Sequence, residues 1–272
     1  MLFDSHTHIN SDGYTKEQRD ELIKEIENSM VSYVMDVGCD LATSKMAVDH
    51  ANKYDWCYAA VGVHPHDAKT MDDTVLFMIK SLAKKNKVQA IGEIGLDYHY
   101  DFSPREEQRQ WFRKQIRLAN ELKLPIIIHS READQVTMDI LKEEQAFSET
   151  RKSWFPKKPD GTGDARVLLH CYSGSAEMAE QYIKLGGTIS VAGPVTYKNN
   201  KKTQKVVETI SIDNLLVETD APYLTPEPHR GKQNKSPYVE HTVRRIALIK
   251  DMEFEEVAKA TCENAKRFFN IK

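Results

Sequence analysis

Met1-Leu2-Phe3-Asp4-Ser5-His6-Thr7-His8 carries an apolar run straight into a His-x-His triplet. In an extended strand, side chains two apart share a face, so His6 and His8 can converge on one ion. Neutral imidazole is a borderline-soft nitrogen ligand suited to divalent transition metals. Alone, such a triplet says little. The same figure then recurs along the chain: Ala90-Ile91-Gly92-Glu93, Pro125-Ile126-Ile127-Ile128-His129, Val167-Leu168-Leu169-His170 and Leu215-Leu216-Val217-Glu218-Thr219-Asp220 each end an apolar run in metal-type ligands. Strand ends that deliver His, Glu and Asp from all parts of the chain point to a metal-dependent hydrolase.

Strands are expected at 2–4, 31–37, 58–61, 88–91, 125–128, 167–169, 188–190 and 214–217. Amphipathic stretches lie between them, among others 16–29, 41–53, 74–85, 104–122, 132–144 and 175–184. Their apolar residues recur at helical spacing, with Lys and Glu on the other face. Ser103-Pro104-Arg105-Glu106 reads as a helix start, with Ser103 as N-cap and Pro104 at the first helical position. This alternation predicts an α/β fold, a single (β/α)8 TIM-type barrel over 1–272 with the metal site at the C-terminal ends of the strands. A doubly wound sheet fits less well, because a barrel brings the ends of all its strands to one mouth. Segment 147–166 departs from the alternation and is expected to be a surface-loop insertion, being polar and holding Pro156, Pro159, Gly161 and Gly163. Its Trp154-Phe155 pair, set among Arg151, Lys152, Lys157 and Lys158, suits either base stacking with phosphate contacts or anchoring of the loop.

Composition sets limits on these readings. The chain has 272 residues, 40% hydrophobic and 29% charged, which is ordinary for a soluble globular protein. A formal net charge of −3 gives no global basic signature for nucleic acid. Cys39, Cys57, Cys171 and Cys262 form no CxxC pair and read as reduced thiols of an intracellular protein. No signal-type segment and no apolar run of membrane-spanning length stands out, so a cytoplasmic location without membrane contact is expected. No obligate protein partner is evident.

Several motifs occur together and in a fixed order. They are Asp4-Ser5-His6-Thr7-His8, Gly62-Val63-His64-Pro65-His66, Gly92-Glu93-Ile94-Gly95-Leu96-Asp97-Tyr98 and His129-Ser130-Arg131. His170-Cys171-Tyr172-Ser173-Gly174, Glu218-Thr219-Asp220-Ala221-Pro222-Tyr223, and Arg230-Gly231 followed by Asn234 and Pro237 complete the set. In this order the chain resembles the TatD family of metal-dependent deoxyribonucleases, in the amidohydrolase-like barrel class, over nearly its whole length. Segment 147–166 is the departure, being longer than the family usually carries there.

The resemblance implies two divalent ions (Mg, Mn or Zn). His6 and His8 would hold one and His129 and His170 the second, with Glu93 bridging and Asp220 on the first. Glu93 would stand where related barrels often use a modified lysine. A bridging carboxylate can span cations about 3.5–4 Å apart, a spacing that clamps both the attacking and leaving oxygens of a phosphodiester. Asp220 would also accept a proton from the attacking water, making Asp220 and Glu93 the catalytic carboxylates. Glu218 reads either as a partner that orients a ligating His or as an interior acid. His64, His66, Asp97, Arg131, Ser173, Tyr223 and Asn234 are candidates for substrate contacts, and Arg131 offers a planar fork for phosphate oxygens.

The leading expectation is a phosphodiesterase acting on DNA, as a 3′→5′ exonuclease on single-stranded or frayed ends. An alternative keeps the ions and changes the bond, to an ester or amide hydrolase such as a D-aminoacyl-tRNA deacylase. A binding module without catalysis would have no need of a bridging acid together with a base.

Overall fold

Strands rich in Val, Ile, Leu and Ala can bury both faces. In the structure, a computed structural model describing residues 1–272, they form the barrel expected. β1 (Leu2–Thr7), β2 (Val31–Val37), β3 (Cys57–Val61) and β4 (Val88–Asp97) are followed by β5 (Ile126–Arg131), β6 (Val167–Leu169), β7 (Thr188–Val191) and β8 (Leu215–Val217). All pair in parallel in sequence order. The helices between them are α1 (Lys16–Glu27), α2 (Leu41–Lys53), α3 (Asp73–Leu82), α4 (Arg105–Leu122), α5 (Asp134–Glu143), α6 (Glu149–Lys152), α7 (Ala176–Lys184) and α8 (Lys201–Thr209). Two more, α9 (Val239–Lys250) and α10 (Phe254–Phe268), follow β8. No helix is long and apolar enough to cross a membrane.

Strand alternation divides the core in two. Residues such as Leu2, Val34, Val61, Ile91, Ile128, Leu169 and Val217 face outward and pack with the helices. Phe3, Met35, Ala60, Ala90, Ile127, Leu168 and Leu216 fill the barrel interior, together with Cys262, Ala265, Phe268 and Phe269 at the end of α10. That helix plugs the N-terminal end of the barrel with aromatic rings. The C-terminal end is left for polar side chains.

The seam between β8 and β1 is closed by a side chain. Asp4 is fully buried, and its carboxylate accepts the backbone N–H and the hydroxyl of Thr219, at 2.9 and 2.6 Å. Burial pushes the Asp4 carboxyl up to about 7, although both bonds from Thr219 oppose this. Beyond it, the N–H of Asp220 reaches the carbonyl of His6 at 2.9 Å, and the N–H of His8 reaches Ala221 at 2.8 Å. Closure of the barrel and delivery of His6, His8 and Asp220 are thus one event.

Strand β4 runs to Asp97, well beyond the apolar run that marks it in sequence. Gly95 permits this: its φ is +148°, and a Cβ there would lie 1.9 Å from the carbonyl oxygen of His129. The strand passes this close to β5, which sets Glu93 beside His129. Ser103 is not the N-cap of α4, whose cap position is Pro104 without a side-chain bond. Its hydroxyl instead donates to the carbonyl of His66 at 2.7 Å and accepts the N–H of Lys69 at 3.0 Å.

Segment 147–166 lies at the N-terminal end of the strands. Arg151, fully buried, donates to the carbonyls of Ala165 and Leu124 at 2.8 and 2.7 Å and to Asn120 Oδ1 at 2.7 Å. Trp154 and Phe155 are half-buried against it, and the Arg166 guanidinium stands 4.5 Å from the Phe155 centroid. The base-stacking option for this pair is therefore corrected: the pair is at the opposite end of the barrel from His129 and His170. Replacing Arg151 by Ala strands the buried Ala165 carbonyl, removes bonds to the half-buried Leu124 carbonyl and Asn120 side chain, and removes a large packed side chain. The expected cost is about 3 kcal/mol or more, read as a lower urea midpoint with metal content unchanged.

Candidate metal centre

Glu93 sits at the axis of the mouth, 3% exposed, and each of its carboxylate oxygens faces a separate group of imidazoles. Oε2 lies 3.4 Å from His6 Nε2 and 3.8 Å from His8 Nε2. Oε1 lies 2.7 Å from His170 Nε2, 3.0 Å from His129 Nδ1 and 3.4 Å from His64 Nε2. Asp220 Oδ1 joins the first group, 3.3 Å from His8 Nε2 and 3.8 Å from His6 Nε2. All six residues expected as ligands come together at the strand ends. His64, expected to meet substrate, is buried against Glu93 with the second group.

The donor set fits divalent cations. His6 Nε2 and His8 Nε2 face one another at 3.3 Å with two carboxylate oxygens at 3.3–3.8 Å. Most of these separations are long for hydrogen bonds. They suit atoms that share an ion at roughly 2.0–2.2 Å from each. Ring orientation agrees. His8 Nδ1 donates to the carbonyl of Val37 at 2.8 Å, which leaves the Nε2 lone pair pointing at the centre. His170 Nδ1 stands 3.3 Å from Glu218 Oε1, and the hydroxyl of Ser190 donates to the other oxygen of Glu218.

The charges follow from this packing. Burial alone would push the Glu93 carboxyl up; the charge of His170 and the bonds from His129 and His170 outweigh it and hold Glu93 well below the usual range. Burial pulls His64 down to about 4, so its imidazole is neutral at pH 7 and free to bind through a lone pair. For Asp220, burial again pushes up, and the bond from His8 with the charges of His170 and His8 keeps the carboxyl ionised at neutral pH. Its φ of +56° turns the carboxylate back over the mouth just past β8, a left-handed conformation that Asp tolerates better than most residues.

Two of the expected substrate contacts are buried. Asp97 is fully buried: its Oδ2 meets His129 Nε2 at 2.9 Å and His66 Nε2 at 3.0 Å, and its Oδ1 accepts the N–H groups of His99 and Tyr100. It orients two imidazoles and has no face left for substrate. Asn234 is 1% exposed and donates to the carbonyls of Thr219 and Tyr223, bracing the loop after β8. His66, Arg131, Ser173 and Tyr223 do reach the opening, His66 with 26% of its side chain exposed.

Sequence reasoning missed Cys39 and Ser190. The thiol of Cys39 is 3.8 Å from Glu93 Oε2 and 3.7 Å from His8 Nδ1. It lies just past the end of β2, the same position the ligands hold on other strands, which was the available signal. Ser190 is a hydroxyl inside an otherwise apolar strand end, a cue that an interior polar group needs it.

A carboxylate shared by two groups ties their occupancies together. If each group holds one ion, Glu93→Gln is expected to lower the loading of both in parallel, measured as metal per protein after dialysis. Loss of one ion with the other retained at wild-type affinity would make Glu93 a ligand of a single site.

Comparison with known proteins agrees with this picture. The family model described as TatD related DNase matches residues 3–270. A Bacillus subtilis (strain 168) protein described as the uncharacterized metal-dependent hydrolase YabD is 45% identical over 271 residues, covering 100% of both chains. The 3′-5′ ssDNA/RNA exonuclease TatD of Erwinia tasmaniensis is 31% identical over 276 residues, 99% of this chain and 100% of that one. The crystal structure of YjjV, a TatD homologue from Escherichia coli K12, superposes with a TM-score of 0.87 at 26% identity, covering 100% of this chain and 98% of that one. Over its whole barrel, then, this chain belongs to the family of TatD-related DNases and is a metal-dependent hydrolase.

Proposed function

We propose that the chain hydrolyses phosphodiester bonds at single-stranded or frayed ends of nucleic acid, as a 3′→5′ exonuclease. Two divalent ions (Mg, Mn or Zn) would be held by His6, His8 and Asp220 on one side and by His129 and His170 on the other, with Glu93 between. The observation that carries the reading is the split of Glu93, one oxygen toward His6 and His8 and the other toward His170, His129 and His64. When bound, paired cations supply Lewis-acid stabilisation of charge on the phosphate oxygens and lower the pKa of water. The exonuclease of Erwinia tasmaniensis, similar over its full length, supports nucleic acid as the substrate class.

The remaining work falls to side chains. Asp220, ionised and 15% exposed, is within reach of a water entering the mouth and accepts its proton as the water attacks phosphorus. Glu218 and Asp97 hold His170 and His129 so that their facing nitrogens do not turn away. Arg131, exposed at the end of β5, presents a planar fork to a phosphate oxygen pair. His66 offers an imidazole edge to the same group.

Digestion of single-stranded DNA by metal-stripped protein, resupplied with one metal at a time, tests the reading. Turnover of an aminoacylated tRNA without turnover of DNA or RNA would favour the ester-hydrolase alternative. Asp220→Asn is expected to fold normally and to lower kcat by about a hundredfold or more, since an amide cannot accept the proton. Wild-type turnover by a folded Asp220→Asn protein would remove Asp220 from the role of base.

A further inference from the structure

The rim of the mouth beside β4 carries an aromatic pile that neither the core nor the ligand set requires. Tyr100 and Phe102, in the loop after β4, keep 48% and 55% of their surface exposed. Their rings stack with centroids 5.1 Å apart and planes 18° from parallel. The Arg131 guanidinium lies over the Tyr100 ring at 4.8 Å, so Tyr100 is covered by Phe102 and Arg131 while Phe102 remains the more open ring. His66 meets both rings edge-on, at 5.5 and 4.8 Å, and shares Asp97 with His129. The pile therefore abuts the residues that face Glu93.

Its loop is fixed before any ligand arrives. Asp97 Oδ1 accepts the N–H groups of His99 and Tyr100 at 3.0 and 2.9 Å. Ser103 bonds to the His66 carbonyl, and Lys69 Nζ donates to the carbonyl of Phe102 at 2.9 Å. Rings held this way present a stacking face at little further entropic cost. Across the mouth Tyr223, 58% exposed, stands edge-on to His8 with centroids 6.4 Å apart, giving the opposite wall a second aromatic surface.

We propose that Tyr100, Phe102 and Arg131 form a base-stacking subsite that takes the unpaired nucleobase next to the bond being cut. The proposal rests on the phosphodiesterase reading above and adds the means of selection. A base inside a duplex has both faces covered by its neighbours, so a base freed by fraying or carried on a single strand adds a layer to the pile more readily. Every base has such a face, which makes the subsite tolerant of sequence. The formal net charge of −3 provides no general attraction for phosphates, so stacking would add to the local grip of Arg131 and bound cations.

The test compares two single-stranded DNA oligonucleotides of equal length, one with bases throughout and one whose residues at both ends are abasic tetrahydrofuran units. Release of terminal units is followed with protein loaded with whichever of Mg, Mn or Zn supports turnover. Wild type is expected to show a KM about tenfold or more lower for the base-bearing strand. In a Tyr100→Ser/Phe102→Ser double variant the two KM values should converge, with kcat on the abasic strand and the melting temperature held. Phe102→Trp should retain the preference. A double variant that keeps the wild-type preference overturns the subsite. So does an equal fall of kcat on both strands, because the rings would then act only by propping His66. Failure of the wild type to cut either strand with any of the three metals overturns the phosphodiesterase reading, and the subsite with it.

Discussion

The burial of Glu93 is the constraint around which the mouth is organised. A lone carboxylate moved from water into such a site costs on the order of several kcal/mol even after relaxation. No lysine or arginine pairs with it; every partner within ion-pair distance is a histidine. Protons on the imidazoles could offset the charge, but crowding limits this. His6 and His170 stack at 3.9 Å between centroids, and two adjacent imidazolium rings repel. His6 and His64 are pulled toward the neutral form by burial, so further protonation is limited, and two groups of imidazoles on two sides of one carboxylate form a donor set that divalent cations stabilise.

That arrangement depends on the closure of the barrel. His6 and His8 leave β1 on one side of the seam, and Asp220 follows β8 on the other. The strand ladder does not continue across this gap; Asp4 ties it with two bonds to Thr219, backed by main-chain bonds from Asp220 and His8. A shift of one residue here would turn the imidazoles away from the axis. The buried acid near the start of the chain is therefore a positioning element for the centre as much as a structural one. A short polar pair before a His-x-His motif has no period to interpret, so nothing in the sequence marks Asp4 for this role.

What was legible in the sequence was whatever depended on strand period. The eight apolar runs, and the ligands just beyond five of them, follow from side chains alternating along extended backbone. What escaped depended on register between strands. Asp97 looks like a mouth residue because it lies four positions beyond Glu93, yet β4 continues that far and turns it inward between two imidazoles. His64 likewise looks like a rim residue until the chain after β3 folds it back onto Glu93. Trp154 and Phe155 resemble a stacking pair in composition, but an end-to-end distinction in a barrel is set by which end of a strand a segment meets.

The two ends of the barrel are built from different chemistry, and this separates stability from specificity. At the N-terminal end, Phe268 and Phe269 plug the interior and Arg151 caps carbonyls ahead of β5 and β6. Those contacts are buried and directional, so substitutions there are felt throughout the fold. At the C-terminal end, the residues facing Glu93 stand on strands or in the first residues after them, held in turn by Asp97, Glu218 and the Val37 carbonyl. Tyr100, Phe102 and Tyr223 come from loops outside that frame and are largely exposed. Loops of this kind can change what the mouth grips without altering the barrel or the centre beneath it. On the proposed reading, bond cleavage belongs to the rigid strand ends and the choice of substrate to a rim that a few side chains define.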